Sequence, residues 1–405
     1  MKYINEKFNL DNIVNQWLSI YANKKIALIG TTGSSFYGFR ADLIRSLVAN
    51  GHQVYAFTSE YTEDCLEKIK ALGAEPVTYQ LSRGGLNPFA DIVSTYQLTH
   101  KIKKIKPDIV FSYFAKPVIY GTLAASFAKV PHIVGMLEGL GYTFTAQPEG
   151  QSGKTKLIRN IQVLLYRLAF PRLDDMIFLN PDDEKDLIHT YTLPVKKVHI
   201  LGGIGLDLKD YSYSPAPVDP VNFLFIGRLL KEKGIFEFID AIKIVKHKFP
   251  NTKFTILGGL DSQNMGALSK SQLDELIAEG LFEYPGHVSN VKDWIANSSV
   301  FVLPSYREGV PRSTQEAMAI GRPVITTDVP GCRETVVDGV NGFIVPCWDA
   351  EALAEKMCFF IETPTQINPM GLESMKMAHQ KFDAEKVNNR LFEIMGLNSS
   401  YEKIG

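Results

Sequence analysis

The stretch of the sequence most suited to chemistry is PSYREGVPRSTQEAMAIGRPVI (304–325), where Glu308 and Glu316 stand with seven residues between them around a proline. Glu308 follows the apolar run VFVLP, Gly309 and Val310 offer backbone amides, and Pro311 suits the first turn of a helix carrying Glu316. Such a helix start can hold an anion on its unpaired N–H groups, and a glutamate about one and a half turns further in can accept from sugar hydroxyls. The plainer alternative is that both glutamates only favour the helix dipole. GRLLKEKG (227–234) also follows an apolar run, and its Arg228 and Lys233 can converge on a diphosphate, arginine as a fork and lysine as a point charge. Two solvated surface cations are the alternative there. GTTGSSFYG (30–38) is a third candidate: Gly30, Gly33, Ser34 and Ser35 would let backbone approach an anion at a helix N-terminus, or would simply make a tight packing turn. A dinucleotide fingerprint G-x-G-x-x-G is absent, and only Glu60 is placed to hold a ribose after the second strand.

All three candidates sit just after short apolar runs, and the runs alternate with helical patterns along the chain. KKIALIG (24–30), QVYAFTS (53–59), AEPVTYQL (74–81), DIVFSYF (108–114), HIVGML (132–137), MIFLN (176–180) and KVHIL (197–201) read as strands. Helices are expected near 39–50, 63–72, 88–105, 118–128 and 156–170. YSYSPAPVDP (211–220), with three prolines, interrupts the pattern, and NFLFIG (222–227) restarts it through KFTILGG (253–259), VFVLP (300–304) and PVITT (323–327). The second set of helices is expected near 235–249, 269–279 and 311–320. The fold class is therefore α/β, with two doubly wound Rossmann-like domains over 1–210 and 211–382, and ligands are expected in the cleft at the carboxyl ends of the strands.

Composition narrows the function further. The 405 residues are 45% hydrophobic and 21% charged, and 43 Lys plus Arg against 44 Asp plus Glu give a net charge of −1, which argues against a general nucleic-acid binder. Cys65, Cys332, Cys347 and Cys358 form no C-x-x-C pair, so a reducing compartment is expected and redox chemistry is not. The N-terminus lacks the apolar core and cleavage site of a secretory signal, and the most apolar window, 117–137, contains Lys129 and Pro131, so a cytoplasmic protein without a membrane span is expected. There is no Asp-x-Asp, H-x-x-x-H or H-E-x-x-H, hence no expected metal; His52 and His199 read as structural or surface residues. The helix LIRNIQVLLYRLAFPRL (157–173), with Arg159, Arg167 and Arg172, and KIKKIK (101–106) either touch anionic lipid headgroups or are packed and solvated helix faces.

With these residues in place, the chain resembles glycosyltransferase family 4, whose members have the GT-B architecture. The resemblance rests on REGVPRSTQEAMAIGRPVI and GRLLKEKG, and extends to GHVSNV (286–291), GCRETVVDGVNGFIVP (331–346), GGIGLDLKDY (202–211) and GTTGSSFYGFRADLIRSLVANGHQVY from Gly30. It implies that Arg228 and Lys233 bind the donor diphosphate, that Glu316 binds the ribose, and that Glu308 with the amides of Gly309, Val310 and the residues beside Pro311 meets the donor sugar. GHVSNV is similar to the family's base-contacting turn, which implies a nucleotide-binding role for His287 and Val288. Residues 383–405 are implied to include a helix returning to the first domain.

One departure stands out: many relatives have a histidine where VGMLEGLGYTF (134–144) carries Glu138. This variant resembles the branch that elongates lipid-diphosphate-linked sugars. Glu138 then orients the acceptor hydroxyl or acts as base, or else is a structural carboxylate. The implied activity is metal-independent, retaining transfer of an N-acetylhexosamine or hexose from a UDP-linked donor to a polyprenyl-diphosphate-linked sugar in polysaccharide or glycan biosynthesis. No cofactor is implied, and peripheral contact with an anionic membrane, at the inner face of the cytoplasmic membrane, goes with the acceptor. Three other functions remain open. A nicotinamide-dependent reductase would want Tyr-x-x-x-Lys, which occurs only at Tyr3/Lys7 and Tyr21/Lys25, before the glycine turn; a nucleotide-sugar epimerase or hydrolase and a noncatalytic cleft binder are the others.

Overall fold

The computed structural model describes residues 23–59, 62–81, 88–261 and 266–397. Glu60, Tyr3, Lys7 and Tyr21 lie outside the described residues, as does the end of the chain after 397. In the first lobe, strands β1 (Lys25–Ile29), β2 (Gln53–Thr58), β3 (Glu75–Thr78), β4 (Ile109–Tyr113), β5 (His132–Leu137), β6 (Asp175–Phe178) and β7 (Val198–Ile200) form one sheet ordered β3-β2-β1-β4-β5-β6-β7. Neighbouring strands in this sheet pair in parallel, with Ile26 beside Val54 and Ile109, and Val134 beside Asp175. Such strands are buried on both faces, which is why the sequence shows continuous apolar runs instead of alternation. Helices α1 (Ala41–Ala49), α2 (Glu63–Ala71), α3 (Pro88–Ile105), α4 (Ala115–Phe127), α5 (Gly153–Ala169) and the single turn α6 (Pro181–Glu184) make the connections.

The second lobe repeats the plan. Strands β8 (Asn222–Ile226), β9 (Lys253–Leu257), β10 (Glu283–Gly286), β11 (Val300–Leu303), β12 (Val324–Thr327) and β13 (Gly342–Val345) are ordered β10-β9-β8-β11-β12-β13, again parallel. Its helices are α7 (Ile235–Lys248), α8 (Lys270–Ala278), α9 (Val291–Ala296), α10 (Arg312–Ile320), α11 (Ala350–Glu362) and α12 (Ile367–Lys381). In both sheets the strand order reverses beside the first strand, so the crevices beyond β1/β4 and β8/β11 are where ligands bind in such folds.

The last helix, α13 (Ala384–Ile394), packs on α1 in the first lobe. It is reached through a backbone bridge in which Leu206 donates to Phe382 O at 2.9 Å and accepts from Ala384 N at 3.0 Å. Phe392 meets the His52 ring edge-on at 6.5 Å, and one buried apolar cluster runs from Ile44 and Leu47 through Leu206 to Phe223 and Phe382. The lobes therefore share part of their core. Two local details differ from the sequence reading. Pro311 is not in the first helical turn but is the extended N-cap of α10, which starts at Arg312. Ahead of α1 the chain makes a π-helical turn over Ser35–Phe39, so the helix after the glycine turn starts later than its periodicity suggests.

Candidate functional site

The second-lobe half of the cleft is built on the loop that leaves β11. Gly234 closes the turn after β8 at φ +74°, and a Cβ there would lie 2.0 Å from Pro304 O, so only glycine lets this turn pack against the β11 loop. Tyr306 N donates to Glu232 O at 2.9 Å across the same contact. The result brings Lys233 to Glu308: Lys233 Nζ is 2.5 Å from Glu308 Oε1, which also accepts from Ser305 Oγ at 2.7 Å. Glu308 is mostly buried, and Lys233 is 22% exposed, so the ammonium remains at the rim of the cleft. Ser313 Oγ donates to Ile226 O at 3.2 Å and fastens the first turn of α10 to the end of β8.

Glu316 is held by one helical neighbour at i,i+4 spacing and by one side chain 105 positions away. Its Oε1 accepts from Tyr211 Oη at 2.9 Å and from Arg312 Nε at 3.0 Å. Burial, and then the Glu316 carboxylate, push the Tyr211 phenol up, so it stays a donor. Arg228 is more exposed and pairs with Asp261 at 2.7 Å. Arg228 and Lys233 thus sit on separate carboxylates, Asp261 and Glu308, and the third cation of GRLLKEKG, Lys231, pairs with Glu149. Gly309, Val310 and Pro311 are buried between Glu308 and α10. His287 and Val288 follow β10; His287 is exposed and Val288 packs against the core.

On the first-lobe side, the glycine turn is largely taken up by packing. A Cβ on Gly30 would lie 2.4 Å from Tyr113 Oη, and Ser35 is buried, with its Oγ donating to Thr32 O at 2.6 Å and lying 3.0 Å from Tyr113 Oη. Gly33 is buried, whereas Ser34 is exposed. Glu138, just beyond β5, is ion-paired with the buried Arg40 guanidinium, which also stacks 5.0 Å over the Tyr113 ring. Burial pushes the Glu138 carboxyl up, and Arg40 pulls it back. Glu138 thus has a built-in cationic partner from the segment after the glycine turn, and that partner is a side chain, not a turn amide.

The two halves touch where Gly309 meets the end of β5. A Cβ on Gly309 would lie 2.3 Å from Glu138 O, so the second-lobe loop and the first-lobe turn approach backbone to backbone. The structure therefore groups Glu308, Lys233, Gly309 and Glu138 along one seam. Arg40, Tyr211, Arg312 and Asn180 are the residues that sequence reasoning missed. Asn180 was partly legible, since N-P-D-D is an N-cap followed by proline and first-turn acids, and Arg312 stands at i,i+4 spacing from Glu316; nothing local pointed to Arg40 or Tyr211. Among the described residues no group of three or more His, Cys, Asp or Glu could hold a metal ion.

Two family models match the chain: glycosyl transferase 4-like over residues 25–180, and glycosyl transferases group 1 over residues 212–377. The N,N'-diacetylbacillosaminyl-diphospho-undecaprenol alpha-1,3-N-acetylgalactosaminyltransferase of Campylobacter jejuni is 29% identical over 354 residues, 84% of this chain and 89% of the relative. The UDP-Gal:alpha-D-GlcNAc-diphosphoundecaprenol alpha-1,3-galactosyltransferase of Escherichia coli is 25% identical over 274 residues, 64% of this chain and 67% of the relative. Among solved structures, Anabaena HepE in complex with UDP and glucose superposes with a TM-score of 0.73 at 17% identity, covering 92% of this chain and 99% of that one.

Proposed function

The chain belongs to the glycosyl transferases of group 1 and family 4, with GT-B architecture, and from that premise we propose that it extends a polyprenyl-diphosphate-linked sugar. The donor is a UDP-linked N-acetylhexosamine or hexose, and the pathway is polysaccharide or glycan assembly. Support for the acceptor comes from the two relatives, both named for transfer to undecaprenol-diphosphate-linked sugars, and support for UDP from the second of them. The single observation that carries the site is the Lys233–Glu308 pair, set beside the start of α10 and facing Glu138 across the seam.

In this reading Lys233 and Arg228 exchange their carboxylate partners for the diphosphate oxygens as donor binds. Negative charge grows on the diphosphate while the bond to the sugar loosens, and the two cations with the amides at the α10 N-terminus stabilise it. Glu308, freed from part of its ion pair, accepts from donor-sugar hydroxyls; Glu316, oriented by Tyr211 and Arg312, accepts from the ribose. Glu138, its charge balanced by Arg40, orients the acceptor hydroxyl. Transfer proceeds with retention, as the family resemblance implies, and without a metal, because side-chain cations supply the counter-charge that an Asp-x-Asp clamp would supply through a metal ion. His287 and Val288 border the base, and Ser34 is the exposed residue of the glycine turn.

Peripheral contact with an anionic membrane at the cytoplasmic face completes the proposal. No helix among the described residues is long and apolar enough to cross a membrane. Instead α3 exposes Phe89 (82%), Ile92, Val93 and Tyr96, and α5, on the other side of α4, exposes Leu157, Leu164 and Leu168. The sequence of α5 contains no acid, and the one acid of α3, Asp91, is buried against Lys116 and Tyr120. Lys103, Lys104, Lys154 and Lys156 of the same two helices are also exposed. Exposed large apolar groups and exposed cations on the same two helices of a chain of net charge −1 are complementary to an anionic headgroup layer.

The test is a screen of nucleotide sugars against lipid-linked acceptors with product analysis, including anomeric configuration and activity in a chelator. Glu316→Ala and Lys233→Ala are expected to lower donor use by at least ten-fold each. Undiminished transfer by both variants would remove the site, and donor turnover without acceptor would favour a hydrolase or epimerase instead.

A further inference from the structure

The Glu308 loop is gripped from the opposite lobe by a buried polar cluster that the transfer chemistry itself does not require. Asn180 follows β6 and caps α6: its Oδ1 accepts from Asp183 N at 2.8 Å. Its Nδ2 reaches into the second lobe, donating to Gly309 O at 2.6 Å, with Glu308 O at 3.4 Å. The same Nδ2 lies 3.1 Å from Asp183 Oδ2, so both amide hydrogens have acceptors. Asp183 also accepts from Arg307 Nε at 3.0 Å and Nη2 at 2.5 Å, and Arg307 Nη2 reaches Asp186 at 2.7 Å. Asn180 and Asp183 have no exposed surface, and Arg307 is 9% exposed.

These contacts fall on three consecutive residues of the donor-lobe loop, with Glu308 in the middle. Its amide is fixed from its own lobe, donating to Pro330 O at 3.0 Å, while its carbonyl side is fixed from the other lobe by Asn180. A peptide held at both ends sets the direction in which the Glu308 carboxylate leaves the backbone. If the lobes part, the Asn180 amide and the Gly309 carbonyl lose each other and must be satisfied by water, and the loop keeps only its own-lobe tether.

We propose that Asn180, with Asp183 and Arg307, is a positioning unit through which the acceptor lobe completes the donor site when the lobes close. None of the three touches the reacting atoms; they act through the Glu308–Gly309 peptide. The inference rests on the reading of Glu308 as a donor ligand. It adds that donor affinity depends on a residue of the lobe that does not bind the nucleotide.

The test variant is Asn180→Ser in the full chain. Serine keeps an N-cap oxygen for Asp183 N but is too short to reach Gly309 O, so the local helix start survives while the Nδ2 bond across the lobes is lost, together with its contact to Asp183 Oδ2. Donor KM and the Kd for UDP are measured beside kcat and the melting temperature, with Arg307→Ala and Arg307→Lys in parallel. Losing one buried hydrogen bond of this kind predicts donor KM and UDP Kd raised on the order of ten-fold, with kcat at saturating donor within about two-fold. Arg307→Lys should recover part of what Arg307→Ala loses, since it keeps the charge beside Asp183 but not the fork. A lowered melting temperature with unchanged KM and Kd in Asn180→Ser overturns the proposal, because that is what a merely structural residue does. If that variant does not fold, equal KM and Kd in Arg307→Lys, Arg307→Ala and the parent overturn it. Glu308→Gln separates the two readings. Should Glu308→Gln weaken donor use while Asn180→Ser does not, only the positioning proposal falls; should Glu308→Gln leave donor use intact, the donor-site reading falls and takes this one with it.

Discussion

The exposed apolar and cationic side chains of α3 and α5 make a prediction that does not depend on the chemistry of the cleft. Replacing Lys103, Lys154 and Lys156 by serine removes three exposed cations, each worth about 1 kcal/mol near an anionic surface, or about 3 kcal/mol together. That corresponds to roughly 100-fold weaker binding to vesicles. Phe89→Ser with Tyr96→Ser removes apolar groups that are 82% and 66% exposed. At about 1.5 kcal/mol per ring transferred, this pair costs a similar 3 kcal/mol. The two variants differ in salt response: the serine-for-lysine protein should lose most of the salt sensitivity of binding, whereas the ring-deleted protein should keep it. Because all five side chains face outward, melting temperatures should stay near that of the parent. The assay is co-sedimentation with phosphatidylglycerol vesicles, with phosphatidylcholine vesicles as the uncharged comparison, followed by transfer to a short water-soluble acceptor and to a lipid-linked one in vesicles. Transfer to the soluble acceptor should be unchanged and transfer in vesicles should fall. Equal binding of parent and both variants, or no preference of the parent for the anionic vesicles, refutes the membrane-facing assignment.

Two further outcomes follow from buried groups along the seam. Burial pushes the Asp183 carboxyl up to about 6 from an ordinary 3.8, against the pull of Arg307. The folded protein therefore holds this proton more tightly than the unfolded chain, so the Asp183 contribution favours folding below about pH 4 and is lost as pH rises to about 6, by roughly 3 kcal/mol. Chemical denaturation of Asp183→Asn across that window should lack this part of the slope; an unchanged slope contradicts the assignment. Gly309→Ala would place a methyl group 2.3 Å from Glu138 O, so the seam must shift, and a loss of donor use of at least ten-fold is expected. Gly153→Ala, where nothing lies within 4 Å, is the comparison that should leave activity and melting temperature alone.

What could be read in the sequence divides along physical lines. A strand buried on both faces needs a continuous apolar run, so β5 at His132–Leu137 and β8 from Asn222 were legible as runs, and the long periodic α3 was legible to its ends. The π-helical turn at Ser35–Phe39 was not, since one extra residue per turn leaves no period to detect. Charge partners were hidden for a different reason. Arg40 meets Glu138 within the first lobe and Asn180 meets Gly309 between the lobes, across 98 and 129 positions, so both pairs are products of tertiary packing that local spacing cannot encode. Glu308 and Lys233 were found as chemistry-bearing types after strands, but their union depends on Gly234 fitting against Pro304, a clearance of backbone against backbone. The outward apolar face of α3 was missed because its buried stripe of Thr95, Leu98, Thr99 and Ile102 shares the helix with the exposed Phe89, Val93 and Tyr96. With apolar groups on both sides, periodicity no longer says which side is inside. The same limit explains why site residues could be proposed from motifs while the device that joins the two lobes had to be seen: motifs describe what each loop can bind, and closure is decided by what the loops do to each other.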